Sequence, residues 1–180
     1  MLTPLKTETD AARRRNLLIV RHAKSSWNEA GLPDHERPLN RRGERDAPFM
    51  GAVLRQRGFR PEAIVSSPAR RARMTAERLA EALGYAEADI AIRAAMYEQG
   101  LEGAFSVVQS LDDRWHRVIL VGHNPDLLRL INLLGGETLT HLPTCGMAAL
   151  EFELDSWTHV YEGSGRLAYF DYPKRHPELR

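Results

Sequence analysis

The sequence predicts an α/β protein: a three-layer α/β/α sandwich whose sheet is mainly parallel with an antiparallel edge strand. Three observations carry that prediction. Short apolar runs at 17–20, 63–65 and 118–121 lack alternation and read as strands buried on both faces. Segments with helical spacing separate them, the order expected of a parallel sheet with crossover helices. Near the end, residues 147–154 alternate with Glu151 and Glu153 facing outward, which reads as a half-exposed strand.

The elements follow in order. Residues 1–15 are polar and read as a loose tail, with one domain over 16–180. After the strand at 17–20, residues 23–39 contain Gly31, Pro33 and Pro38 and read as a loop over a site. Asn40 is placed to cap a helix running to Gln56 and closed by Gly58, with Pro48 expected to kink or shorten it. After the strand at 63–65, Ser67 reads as an N-cap with Pro68 at the first helical position; the helix ends at Gly84. A third strand is expected at 90–92. A loop through Tyr97, Glu98 and Gly100 then leads to a helix over 102–111. After the strand at 118–121, Asn124 reads as a cap and Pro125 as the start of an apolar helix, buried on most sides and stopped by Gly135-Gly136. A last strand is expected at 167–170.

Composition narrows the function classes. The 180 residues carry a net charge of +1, which gives no case for bulk attraction to nucleic acid. Cys145 is the only cysteine, so no internal disulfide can form. No apolar run is long enough for a signal peptide or membrane span, and a cytoplasmic protein is expected. No Gly-rich nucleotide loop and no metal-spaced cluster of Asp, His or Cys is present, so neither cofactor nor metal is expected. Glu151 stands six positions after Cys145, where a cysteine phosphatase needs arginine.

Three strand ends carry the chemistry. Arg21-His22 follows the first, Ser66-Ser67-Pro68-Ala69-Arg70-Arg71 the second, and Gly122-His123-Asn124-Pro125 the fourth. In open α/β sheets ligands sit beyond the carboxyl ends of the strands, and helix amino termini there favour anions. Arg21, Arg71 and two histidines at one rim, with no obvious counter-carboxylate, suit a phosphoryl group. A neutral imidazole can attack phosphorus, and nearby guanidinium groups disfavour its protonation. The second histidine, if protonated, donates to a phosphoryl oxygen. The arginines at 70 and 73 read as a solvated helix face.

These segments resemble the signature blocks of the histidine phosphatase superfamily, the phosphoglycerate-mutase-like fold. Arg21-His22, Trp27-Asn28, Ser67-Pro68 with Arg71, Thr75 and Ala76, and Gly122-His123 match its motifs in order. Ala23-Lys24, Arg37-Pro38-Leu39 before Gly43, and Gly122-His123-Asn124-Pro125 are similar to SixA-type phosphohistidine phosphatases. The resemblance implies that His22 is the phosphorylated nucleophile. It implies that Arg21, Arg71 and His123 clamp the phosphoryl oxygens, with Asn28 adding a donor; Lys24, beside the nucleophile, reads either as a further substrate contact or as a solvated side chain. Glu98 falls near the general acid of larger branches. Ala23-Lys24 in place of Gly-Glu argues against mutase activity. The implied function is a metal-independent phosphatase acting on a phosphorylated protein, such as a histidine phosphotransfer domain, without nucleic-acid or membrane partners. The alternatives are the same chemistry on a small or nucleotide-like phosphorylated metabolite, and a non-catalytic phosphate-binding module.

Overall fold

A computed structural model describes residues 14–28, 31–136 and 138–179. Six strands form one sheet: β1 (Arg14–Arg21), β2 (Ala63–Ser66), β3 (Ala91–Ile92), β4 (Arg117–Gly122), β5 (Met147–Glu153) and β6 (Gly165–Asp171). Their order is β3-β2-β4-β1-β5-β6. The first four run parallel; β5 pairs antiparallel with β1 and with β6. The antiparallel strand thus lies inside the sheet, with β6 as the edge. The helices are α1 (Arg41–Gln56), α2 (Arg70–Leu83), α3 (Ala95–Glu98), α4 (Gly100–Gln109) and α5 (Asp126–Gly135).

Strand residues alternate between two cores, which explains why the buried strands read as continuous apolar runs. Leu17, Ile19, Val118 and Leu120 pack with Val107 and Val108 of α4 and Leu127 and Leu130 of α5. Leu18, Val20, Ile119 and Val121 pack with Met50 of α1 and Ala72, Ala76 and Leu79 of α2. The chain first moves outward from β1 through β2 to β3, placing α1 and α2 on one face. It then returns to insert β4 between β2 and β1, and right-handed crossovers put α4 on the opposite face. The reversal leaves a crevice at the carboxyl ends of β4 and β1.

Local expectations met several corrections. β1 begins at Arg14, two residues inside the expected tail; residues 1–13 lie outside the described residues. Arg15 is buried because its guanidinium donates to the carbonyls of Asp113, Trp115 and Asp155 and lies over the Trp157 ring. Asn40 caps α1 through Gly43 N–H at 3.0 Å, and α1 runs past Pro48 without being shortened. Ser67 does not cap α2, which starts at Arg70; its hydroxyl goes to the site instead. The loop after β3 folds into α3, so α4 begins at Gly100. Asn124 does not cap α5 either: its amide donates to Leu142 O at 3.0 Å, and Pro125 takes the N-cap position. α5 buries one stripe, Leu127, Leu130, Ile131 and Leu134, rather than most of its surface. Among the described residues no helix is long and apolar enough to cross a membrane.

The start of α1 is wedged against the chain just after His22. The Asn40 N–H donates to Lys24 O at 2.9 Å, and a Cβ at Gly43 would lie 2.3 Å from that same carbonyl. Neither side can yield without moving backbone. Gly43→Ala is expected to destabilise the protein by about 2 kcal/mol, the usual scale of overpacking, as measured by urea unfolding.

Candidate active site

Strand register assembles the site. Arg21 pairs with Gly122 across β1 and β4, and Ser66 pairs with Val121 across β2 and β4, so three strands end at one level. Two further bonds extend the ladder past the strands: His22 N–H to Gly122 O at 2.9 Å and Ser67 N–H to Val121 O at 3.0 Å. Cys145 closes the other side in a left-handed conformation (φ 58°), its N–H reaching Arg21 O at 3.1 Å and His22 O at 3.2 Å. The His22 and His123 rings consequently face each other with centroids 5.1 Å apart.

Each histidine has a defined partner. The His22 Nδ1 lies 2.7 Å from Ala23 O. A carbonyl only accepts, so Nδ1 carries the proton and Nε2 presents its lone pair. His123 Nε2 lies 2.7 Å from the Ser67 hydroxyl. The pKa of His22 is pushed down to about 3, chiefly by burial, against its bond to Ala23 and with help from His123, Arg71 and Arg21. Burial, then Arg71, lowers His123 to about 4, with Asp34 opposing. Both rings are therefore neutral at pH 7, and burial contributes more than the arginines on which the sequence argument relied.

The arginines approach from two directions. Arg21 Nη1 donates to Leu142 O at 2.9 Å, the same carbonyl that accepts from Asn124, so one peptide group braces both corners. Arg71 is held through Thr75, whose hydroxyl donates to Arg71 O at 2.7 Å and accepts the Ala23 N–H at 2.9 Å. Arg21 Nε, His123 Nδ1 and Asn124 Oδ1 are buried without a partner among the described residues. An unmet buried polar group costs about 1–3 kcal/mol, so three at one place mark ground suited to a polar ligand.

The expectation of a rim without a counter-carboxylate is corrected. A short 3-10 turn, Asp34–Glu36, brings Asp34 across the site. Arg71 donates to Asp34 Oδ2 at 2.8 Å and to its backbone O at 2.5 Å. Arg37 donates to Oδ1 at 2.9 Å and the Tyr97 hydroxyl to Oδ2 at 3.1 Å. Burial favours the neutral acid, but Arg71, Tyr97 and Arg37 outweigh it and hold the Asp34 carboxyl below its ordinary range. Arg37 is itself anchored by Ser25 Oγ and Ser26 O and stacks under the exposed Trp27.

The remaining sequence candidates stay at the margin. Lys24 and Asn28 are exposed, and neither side chain has a partner among the described residues. Glu98 is also exposed and unpartnered. Within α3, Met96 is buried in the core and Tyr97 meets the His123 ring edge-on at 5.4 Å. Asp34, Arg37 and Tyr97 were missed as a group because they come from one short 3-10 turn and its end and from a four-residue helix, pieces too short to leave a periodic trace. Among the described residues no cluster of His, Cys, Asp or Glu could hold a metal ion.

The buried neutral rings imply a pH dependence of stability. Below the ordinary value of 6.5 an unfolded imidazole takes up a proton, whereas the folded His22 ring does not until about 3. The unfolded state then binds more protons, so stability falls as pH falls. Urea unfolding is expected to show this loss between pH 6.5 and about 5, above the titration of most carboxylates, and His22→Asn is expected to reduce it.

Comparison with known proteins agrees with this geometry. A chloroplastic, uncharacterised Arabidopsis thaliana protein is 31% identical over 159 residues, 84% of this chain and 72% of that protein. A crystal structure assigned as the phosphohistidine phosphatase SixA from Agrobacterium tumefaciens superposes with a TM-score of 0.74 at 30% identity, covering 88% of this chain and 98% of the other. The protein histidine phosphatase SixA complexed with tungstate shares the fold at a TM-score of 0.74 and 20% identity, over 89% and 98% of the two chains. Residues 17–106 match the family model through the segments that supply Arg21, His22 and Arg71, and the chain belongs to the histidine phosphatase superfamily, branch 1.

Proposed function

We propose that this chain is a metal-independent phosphatase that acts on protein-borne phosphohistidine through a covalent phosphohistidine at His22. The observation that carries the reading is the state of His22: buried, neutral, its Nδ1 tied to Ala23 O, and its Nε2 lone pair free beside His123, Arg21 and Arg71. Nε2 attacks phosphorus in line, the bond from phosphorus to the leaving group breaks, and the phosphoryl group passes to His22. Water then attacks the phosphorus, the His22–phosphorus bond breaks, and inorganic phosphate departs with the ring restored. Arg21 and Arg71 balance the oxygens' charge, and His123, with Ser67 on one nitrogen, supplies a neutral N–H donor. The phosphoryl group takes the place of the Asp34 carboxylate on Arg71, the anion that, among the described residues, is already seated on this clamp.

The substrate class is supported by the lack of a free acid seated at the site among the described residues. Glu98 is exposed with no partner among the described residues, and Asp34 is held ionised by its arginines. An alkoxide leaves poorly without general-acid help, worth about 10²–10⁴ in rate. A phosphohistidine whose other ring nitrogen carries a proton expels neutral imidazole, whose conjugate acid has a pKa of about 6.5, so it departs without a further proton from the enzyme. The SixA-type relatives and the exposure of Lys24, Trp27 and Asn28 in the segment that follows His22 support a protein-borne substrate.

Rapid quench with a ³²P-labelled phosphoramidate is expected to leave an acid-labile, base-stable label on the enzyme, absent in His22→Ala. Measurable phosphate binding without any label would instead favour a binding module. Aryl phosphates and phosphoramidates are expected to turn over at least about 10²-fold faster than alkyl phosphates, in keeping with a missing general acid. Equal rates on glycerol phosphate would restore an acid to the site and the small-metabolite alternative with it.

A further inference from the structure

A cationic trench leads away from the pocket mouth along the first turns of α1. A cavity of about 680 Å³ lined by Asn28, Asn40 and Arg41 shares Arg42 and Arg45 with a second of about 300 Å³ that ends at Lys174 and His176. The near end adjoins the nucleophile's own loop, because the Asn40 N–H holds Lys24 O at 2.9 Å, two residues after His22. The three arginines extend over about 6 Å of helix axis, and Lys174 carries the line further.

The charges are set to receive carboxylates. Asp46 is buried at 1% exposure on the trench floor; its Oδ2 takes Arg42 Nε at 3.3 Å and its Oδ1 takes Arg45 Nε at 3.0 Å and Nη2 at 2.7 Å. One carboxylate thus orients two guanidinium groups, while Arg42 Nη1 and Nη2 and Arg45 Nη1 have no partner among the described residues. The two side chains remain 42% and 52% exposed. Arg41 and Lys174 are exposed and likewise unpaired among the described residues. His176 is occupied by Asp171 at 2.9 Å and Glu178 at 3.5 Å. Arg41, Arg42 and Arg45 face the single buried carboxylate of Asp46 along the helix, while at the far end Lys174 stands near the Asp171 and Glu178 carboxylates that His176 holds, so the positive charge is concentrated at the end nearer the pocket. Arginine forks already aligned lose little entropy when a second carboxylate arrives.

We infer that the trench docks an acidic polypeptide segment of the phosphoprotein substrate, carboxylates toward Arg41, Arg42, Arg45 and Lys174, so that the adjoining phosphorylated side chain enters the pocket. This rests on the phosphatase reading above. A peptide fits better than a nucleic acid because no Phe, Tyr or Trp lines either cavity to stack a base.

The test uses the full chain and a fluorescein-labelled decaglutamate, with decathymidylate as the competing class, followed by anisotropy. Wild type is expected to bind decaglutamate in low salt and release it in high salt. The double variant Arg41→Glu, Lys174→Glu is expected to bind at least about tenfold more weakly while hydrolysing a small aryl phosphate at the wild-type rate, which also shows that it is folded. No decaglutamate binding by wild type, equal binding by the variant, or tighter binding of decathymidylate would overturn the proposal. Absence of aryl phosphate turnover in wild type removes the phosphatase reading and this inference together; intact turnover without peptide binding removes this inference alone.

Discussion

The parallel ladder that joins β2, β4 and β1 is the constraint on which the rest depends. Its register puts Ser66, Val121 and Val20 abreast, and the bond from His22 N–H to Gly122 O carries the alignment past the last strand residue. A slip of one residue would turn each of these side chains to the other face of the sheet. The two apolar cores oppose such a slip, because every strand residue from Leu17 to Val20 is committed to one layer or the other. Hydrophobic packing remote from the pocket thereby sets the 5.1 Å between the two rings.

Electrostatics then decides what those rings can do. Burial strips water from His22 and His123 and makes their protonated forms unfavourable, and the nearby guanidinium groups push the same way. The cationic groups are themselves costly to bury. Asp34 offsets that cost for Arg71, and shared carbonyls such as Leu142 O do so for Arg21. The Asp34 carboxylate keeps the Arg71 guanidinium aimed and solvated by protein rather than unpaired beside the rings. The same device recurs at Asp46, which holds Arg42 and Arg45 outward along the trench.

Much of this was legible in the residue order. Apolar runs ending in Arg21-His22 and Gly122-His123 named the strands and their functional ends, since strand burial and strand-end ligand sites are both local signals. Asn40 as cap and Gly84 as terminator were equally local and hold in the structure. Ser67 and Asn124 misled for one shared reason. Each is a good cap by type, yet each side chain is held by a tertiary partner: the Ser67 hydroxyl by His123 Nε2, and the Asn124 amide by Leu142 O, which takes Nδ2 and leaves Oδ1 without a partner among the described residues. Glu98 lies in the four-residue helix that also supplies Tyr97, and only the tertiary structure shows that Tyr97 is the residue of that turn in contact with the His123 ring.

By itself the amino-acid order determined the layer architecture, the helix and strand sequence and the pairing of two histidines with Arg21 and Arg71, because burial periodicity and strand-end motifs are written in neighbouring residues. Only the tertiary structure decided which carboxylate meets Arg71, which nitrogen of His22 is free, and that Tyr97 rather than Glu98 reaches the rings. Those outcomes depend on contacts between segments far apart in the chain. Asp34 and Arg71 are separated by 37 positions, and no local pattern encodes the approach of a loop across that distance.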